Sequence, residues 1–255
     1  MNFLKKPEPS LNPDNLNRYL NLSRATISTP QKVCRATDFS PQIIKIVIIL
    51  QVMIVSMSEH ILGIVMAEVK ILVEGYTVED SKRWGKEETC PTITLVRDRN
   101  LMIVVDPGVL ENQEVLIKKL EEEGLRVDDI DVVCITHSHM DHYRNIGMFP
   151  KAKTLICGEL WEGSRVMNWN KQLTDNVEIV ETPGHSSDSI SLLVKTKKGI
   201  VAIVGDVFWK EAFPLSVADD PYADDREKLE QSREKIMKSA DYVIPGHGKM
   251  FKTRK

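Results

Sequence analysis

Short apolar runs separated by polar breaks dominate the chain from Glu68 onward. EVKILVEGY (68–76), TITLVR (92–97) and LMIVVDPG (101–108) read as strands, divided by a charged loop over 79–90 and a turn over Asp98 to Asn100. They predict an antiparallel start. Over 111–123 the period changes: Val115, Leu116 and Leu120 recur at helical spacing, acids lead, and Gly124 gives a stop signal. DVVCIT (131–136) then reads as a buried strand, HYRNIGMFP as a short helix ended by Pro150, and KTLIC, NVEIVE, SISLLVKT and GIVAIVG as further strands. A last helix is predicted over 222–238 and a closing strand in ADYVIPGHG. Strands with interspersed helices, in two similar halves, predict an α/β (α+β) sandwich with sheets inside and helices outside.

The first 65 residues follow none of this pattern. Residues 1–42 are rich in Asn, Pro, Ser and Thr without a helical or strand period, and read as a poorly ordered lead-in. The apolar run IIKIVIILQVMIVSM (43–57) is shorter than the roughly 20 residues a spanning helix needs, and Lys45 and Gln51 interrupt it. An accessory helix or strand pair is the preferred reading, with a marginal membrane anchor as the lesser alternative. A secretory signal fits worse still, because the polar lead-in is too long and no A-x-A-like site follows. The working chain can also begin at an internal Met such as Met66, so residues 1–65 are set apart from a domain over 66–255. His60, at the rim of the apolar run, reads as a histidine without a ligand role.

Composition narrows the classes. With 42% hydrophobic and 28% charged residues, neither a disordered chain nor a multi-span membrane protein fits. The formal net charge is −3, and residues 1–65 carry more basic than acidic groups, so the rest is more acidic than the whole. No strong general affinity for nucleic acid is expected, since that affinity comes from neutralising phosphates. Cys34, Cys90, Cys134 and Cys157 lie far apart without a C-x-x-C pair, which points to a reducing, cytoplasmic setting. Cys134 and Cys157 fall in apolar strand runs and read as buried, inert thiols.

The histidines are distributed unevenly, and five of the six fall in three short motifs. THSHMDH (136–142) places His137, His139, Asp141 and His142 where a strand turns into a helix; residues two apart at an extended strand end point the same way. TPGH places His185 in a turn between strands, GDVF places Asp206 beyond an apolar strand, and PGHG places His247 between two glycines. Each alone is a weak signal, for an Asp after a strand is often only a helix cap. Together, five imidazoles and two carboxylates are about what two divalent ions need, with zinc as the first expectation and iron or manganese as alternatives for a mixed N/O set. Such a pair can share a hydroxide, lower its pKa and polarise the group it attacks, so no Ser or Cys nucleophile is required. Ser138 and Ser186 read as neighbours or turn residues. Trp161, Trp169, Trp209, Phe208 and Phe213 follow the motifs and either wall a cleft, where a base can stack, or fill the core or a dimer contact.

In their order, THSHMDH, TPGH, GDVF and PGHG resemble the metallo-β-lactamase fold superfamily over residues 68–255. The resemblance implies a four-layer αββα sandwich with the metal site at one edge between the sheets. It further implies one ion held by His137, His139 and His185, another by Asp141, His142 and His247, and Asp206 bridging them. Asp141 also orients the attacking water in some members and is the catalytic candidate. HYRNIGMFPKAK and the tail from GDVFWKEAF to VIPGHGKMF are similar to the metallo-β-lactamase-domain-containing protein 1 subfamily, which implies RNA cleavage, two zinc ions and a homodimer.

Departures from other branches narrow the expectation to a minimal hydrolase. The chain ends eight residues after His247, without the helical domain with which glyoxalase II grips glutathione, and no long insertion separates Asp206 from PGHG. The substrate expected is an RNA phosphodiester or a small-molecule thioester or lactone. A mononuclear iron persulfide dioxygenase is the alternative of another class, and a non-catalytic electron-transfer or scaffold module is a third.

Overall fold

The apolar runs ITLVRD and LMIVV are largely buried on both faces, because each face meets a different layer. The computed structural model describes residues 65–79, 87–168, 171–211, 220 and 222–253, together with Val47. The chain divides between Ser58 and Glu59, and everything below belongs to the second unit. Apart from Val47, the apolar segment 43–57 lies outside the described residues, as do His60, Cys34, Trp169 and Phe213. Among the described residues no helix is long and apolar enough to cross a membrane.

The first sheet contains β1 (Glu68–Val73), β4 (Ile93–Asp98), β5 (Leu101–Val105), β6 (Val132–Cys134), β7 (Lys153–Ile156), β8 (Glu159–Glu162) and β9 (Arg165–Asn168), in that spatial order. β1, β4 and β5 pair antiparallel as expected, while β5, β6 and β7 run parallel. The second sheet runs β10 (Val177–Glu181), β11 (Ile190–Thr196), β12 (Gly199–Ile203), β13 (Tyr242–Ile244) and β14 (Phe251–Lys252). Here β12 and β13 are the parallel pair.

Four layers follow from where alternate side chains point. Ile103 and Val105 of β5 face Ile179, Leu192 and Ile203 across the space between the sheets. Val104, between them, faces outward with Leu95 and Val133 onto Leu116 and Leu120 of helix α1 (Glu114–Glu122). On the far side Ala202 and Val243 meet Leu229 and Ile236 of helix α3 (Arg226–Ser239). The helix ends are those the residues dictate: Asn112 Oδ1 accepts the Glu114 amide at 3.0 Å, Gly124 takes φ +72° beyond α1, and Asp225 Oδ1 accepts the Lys228 amide at 3.1 Å to cap α3. The architecture is the αββα sandwich.

Three local expectations are corrected. The charged loop over 79–90 contains part of a hairpin, β2 (Tyr76–Glu79) with β3 (Glu87–Cys90), whose polar residues hide the strand period. A second hairpin, β8 with β9, was not anticipated, and β9 is exposed throughout, so no apolar face marks it. Cys157 is exposed rather than buried: β7 stops at Ile156, and Cys157 and Gly158 both take positive φ to turn the chain into β8.

Candidate metal centre

All seven candidate ligands converge at one edge of the sandwich, each brought there by the end of a strand. β6 runs into His137 and His139, and the latter precedes helix α2 (Met140–Tyr143), which carries Asp141 and His142. His185 stands in the turn between β10 and β11, Asp206 follows β12, and His247 follows β13. Two glycines permit this crowding. Gly205, at φ +50°, lies against the Thr136 hydroxyl, and Gly246 packs against Asp206 Oδ1; a Cβ at either place would overlap its neighbour.

The side chains form two groups that can each hold an ion: His137, His139, His185 and Asp206 in one, Asp141, His142 and His247 in the other. In the first, His139 Nδ1 lies 3.0 Å from both His137 Nε2 and His185 Nε2. Asp206 faces both groups. Its Oδ2 is 3.4 Å from His185 Nε2, and its Oδ1 is 3.3 Å from the Nε2 atoms of His142 and of His247.

The outer nitrogens of these rings are already committed. The Asp106 carboxylate accepts from His142 Nδ1 at 2.9 Å and from the Thr136 hydroxyl at 2.7 Å. With its proton given to Asp106, the Thr136 oxygen accepts from His137 Nδ1 at 3.1 Å. His247 Nδ1 donates to the Cys90 carbonyl at 3.0 Å. In each ring the tautomer so fixed leaves the Nε2 lone pair turned inward, which is the arrangement that orients a metal-binding imidazole. Asp106 itself sits at φ +50°, a conformation uncommon outside glycine and concentrated at functional sites.

Electrostatics divide the groups. Burial, then the nearby His142, holds the His137 pKa well below the usual histidine range, and burial also lowers that of His185. For His142 burial opposes the charge, yet Asp106 and Asp206 outweigh it and raise its pKa well above normal; for His247 burial opposes the charge too, and Asp206 still raises its pKa. Burial works against the charged form of Asp206 too, but His142 and His247 hold its pKa well down. Buried carboxylates that draw protons onto His142 and His247 therefore call for positive charge at the centre. A divalent ion fits this demand, and two atoms are in keeping with it: among the described residues His142 Nε2 and Asp206 Oδ1, although 3.3 Å apart, are buried without a well-aligned hydrogen-bond partner.

The mouth of the site is a cavity of about 180 Å³ lined by Thr89, His139, Asp141, His185, Asp206, Trp209, Tyr222 and His247. The Trp209 and Tyr222 rings meet edge to face at 4.9 Å, and Trp209 lies 6.1 Å from the His247 ring. The Thr89 hydroxyl reaches both Asp141 Oδ2, at 3.2 Å, and His247 Nδ1, at 3.1 Å. Of the singled-out aromatics that lie among the described residues, Trp161, Phe208 and Trp209, Trp209 alone is among these lining residues. Phe208 is buried in the core against Phe251, and Trp161 is exposed on β8. Sequence reasoning missed Thr89, Asp106, Thr136 and Tyr222. Asp106 had one usable signal, its place directly after a fully apolar strand.

A sequence model described as the Metallo-beta-lactamase superfamily matches residues 91–156. The chain is 33% identical over 198 residues to metallo-beta-lactamase domain-containing protein 1 of Xenopus laevis, covering 73% of this chain and 82% of the frog protein. It is 32% identical over 146 residues to a probable metallo-hydrolase of Methanocaldococcus jannaschii, covering 57% of this chain and 70% of the archaeal one. The crystal structure of a Thermotoga maritima protein described as a candidate metallo-beta-lactamase superposes with a TM-score of 0.58 at 23% identity, over 74% of this chain and 100% of that one, a likeness of fold.

Proposed function

The chain belongs to the metallo-beta-lactamase superfamily and is a metallohydrolase of it, and on that premise we propose that it cleaves a phosphodiester of single-stranded RNA at a two-metal centre. The observation that carries the dinuclear reading is Asp206, with one carboxylate oxygen toward each ligand group. His137, His139 and His185 would hold one ion, Asp141, His142 and His247 the other, with Asp206 between them. Zinc is the ion this nitrogen-rich set favours. When bound, the ions supply Lewis acidity that activates water and polarises the ester.

The remaining work belongs to the chain. Asp106 keeps His142 in one tautomer and, through Thr136, does the same for His137. Asp141 is partly exposed at the mouth, where its carboxylate can orient the attacking water and hold its proton, and the Thr89 hydroxyl restrains its Oδ2. Trp209 and Tyr222 supply faces on which an unpaired base can stack. Lys210, whose ammonium lies 5.2 Å from the Trp209 ring centre, adds a cation beside that wall. The subsidiary reading, hydrolysis of a small thioester or lactone, is favoured by the small volume of the mouth.

The test is metal content of the full chain by mass spectrometry, alongside turnover of a phosphodiester, a short RNA, a thioester and a lactone. About two zinc ions per chain with cleavage of the RNA supports the proposal, and turnover of only the thioester or lactone replaces the substrate. One iron per chain, with oxygen consumed on a persulfide and no hydrolysis, overturns it.

A further inference from the structure

Asp188 connects the loops that carry three of the candidate ligands. Its Oδ2 accepts the Ser138 amide at 3.0 Å and the Cys157 thiol at 3.2 Å, and its Oδ1 accepts the Ser186 hydroxyl at 2.6 Å. Ser138 is the residue between His137 and His139; Ser186 directly follows His185. The first loop leaves β6 in one sheet, and the second joins β10 to β11 in the other. The second loop is also tied internally, for the Ser189 hydroxyl lies 2.8 Å from Ser186 Oγ and accepts the Ser186 amide at 3.2 Å. Asp188 thus joins one self-braced turn to the backbone between two imidazoles.

We propose that Asp188 is a positioning residue for the three-histidine group: it sets the His137–His139 loop against His185 so that the three rings converge on one divalent ion. The demand on position is strict. His139 Nδ1 stands 3.0 Å from both partner nitrogens, and ligand nitrogens must lie about 2.0–2.1 Å from zinc. A slip of a few tenths of an ångström between the sheets would pull His185 out of reach. A carboxylate suits this task because charge-assisted bonds are shorter and stronger than neutral ones. It is also ionised over the whole working range: burial works against the charge, but the three donors bring its pKa down to about 2. The inference concerns metal binding rather than substrate, so it stands or falls separately from the reaction assigned above.

The test uses the full chain with zinc as the probe, comparing wild type with Asp188→Ala, Asp188→Asn and Ser186→Ala. Affinities come from chelator competition, and Ser138 amide exchange and melting are followed in the metal-free protein. The expected result is that Asp188→Ala weakens one ion by about 10–100-fold, the range for loss of a group that orients a ligand. A second ion should keep its affinity within about twofold, the Ser138 amide should lose protection, and the metal-free melting temperature should hold. Asp188→Asn keeps one acceptor oxygen and should recover most of the affinity, while Ser186→Ala, which removes one arm, should show a smaller loss at the same ion. Unchanged zinc affinity in Asp188→Ala would overturn the proposal. So would equal loss of all bound zinc with a fallen melting temperature, because that pattern marks a residue of general stability.

Discussion

Asp106 Oδ2 lies 2.9 Å from His142 Nδ1, and both side chains are almost completely buried. The same carboxylate also receives the Thr136 hydroxyl, through which it reaches His137, so one residue governs a ring in each ligand group. Asp106→Asn retains size but offers an N–H or a single oxygen where two acceptors were used. It should weaken zinc binding by about 10–100-fold and lower turnover with it. Chelator competition on the folded variant checks this, and wild-type affinity would refute it.

Thr89→Val keeps the shape of the β3 side chain and deletes the hydroxyl that restrains Asp141 and His247. Zinc content should stay at the wild-type level, since the Cys90 carbonyl still holds His247. Turnover should fall roughly tenfold, mostly in kcat, because the carboxylate that handles the water loses its orientation. A change confined to KM would place Thr89 in substrate binding instead.

An exposed thiol is ordinarily easy to alkylate, yet Cys157 should not be. Partial burial, then its bond to the negative Asp188, raises its pKa from 9.0 to about 11. Near pH 8 the thiolate fraction falls about a hundredfold, while the more basic thiolate regains about tenfold in nucleophilicity, leaving a rate roughly tenfold below that of an ordinary thiol. The rate should climb with pH until about 11. Peptide mapping after timed iodoacetamide treatment measures it, and Asp188→Ala should speed the reaction.

Arg233 on α3 is fully buried, donating to the Val207 carbonyl at 2.6 Å and to Asp220 Oδ2 at 2.7 Å. Val207 follows Asp206, so this contact braces the segment on which both ligand groups depend. Arg233→Met strands a buried carboxylate and should cost about 3–5 kcal/mol. That corresponds to a drop in Tm of about 10 °C for a domain of this size. Replacing both partners, Arg233→Met with Asp220→Leu, should recover much of the loss, because an apolar pair removes the unpaired charge. Thermal unfolding of the single and double variants distinguishes these outcomes.

The ligand residues were legible because metal chemistry needs particular side chains, and each sat beyond a recognisable apolar strand. His137, His139 and His142 announce themselves within six residues. Their supports do not. Thr89 meets Asp141 across 52 positions, Asp106 meets His142 across 36, and Cys157 meets Asp188 across 31. A threonine in a polar stretch or an aspartate in a turn has many ordinary uses, and only the closed sandwich selects one. The fold was similarly uneven in visibility. Strands buried on both faces, such as β5 and β12, read clearly, while the exposed β9 and the polar β3 carry no period to detect.

Because the inward-facing groups are drawn from both sheets and span residues 137 to 247, they assemble only in the folded chain. Each captured ion would act as a rivet between the two halves of the sandwich. Durability then varies with supply: free ion at about a thousand times its dissociation constant adds about 4 kcal/mol to unfolding, and scarcity withdraws it. Starvation for the ion would lower the protein's resistance to heat and proteolysis along with its activity.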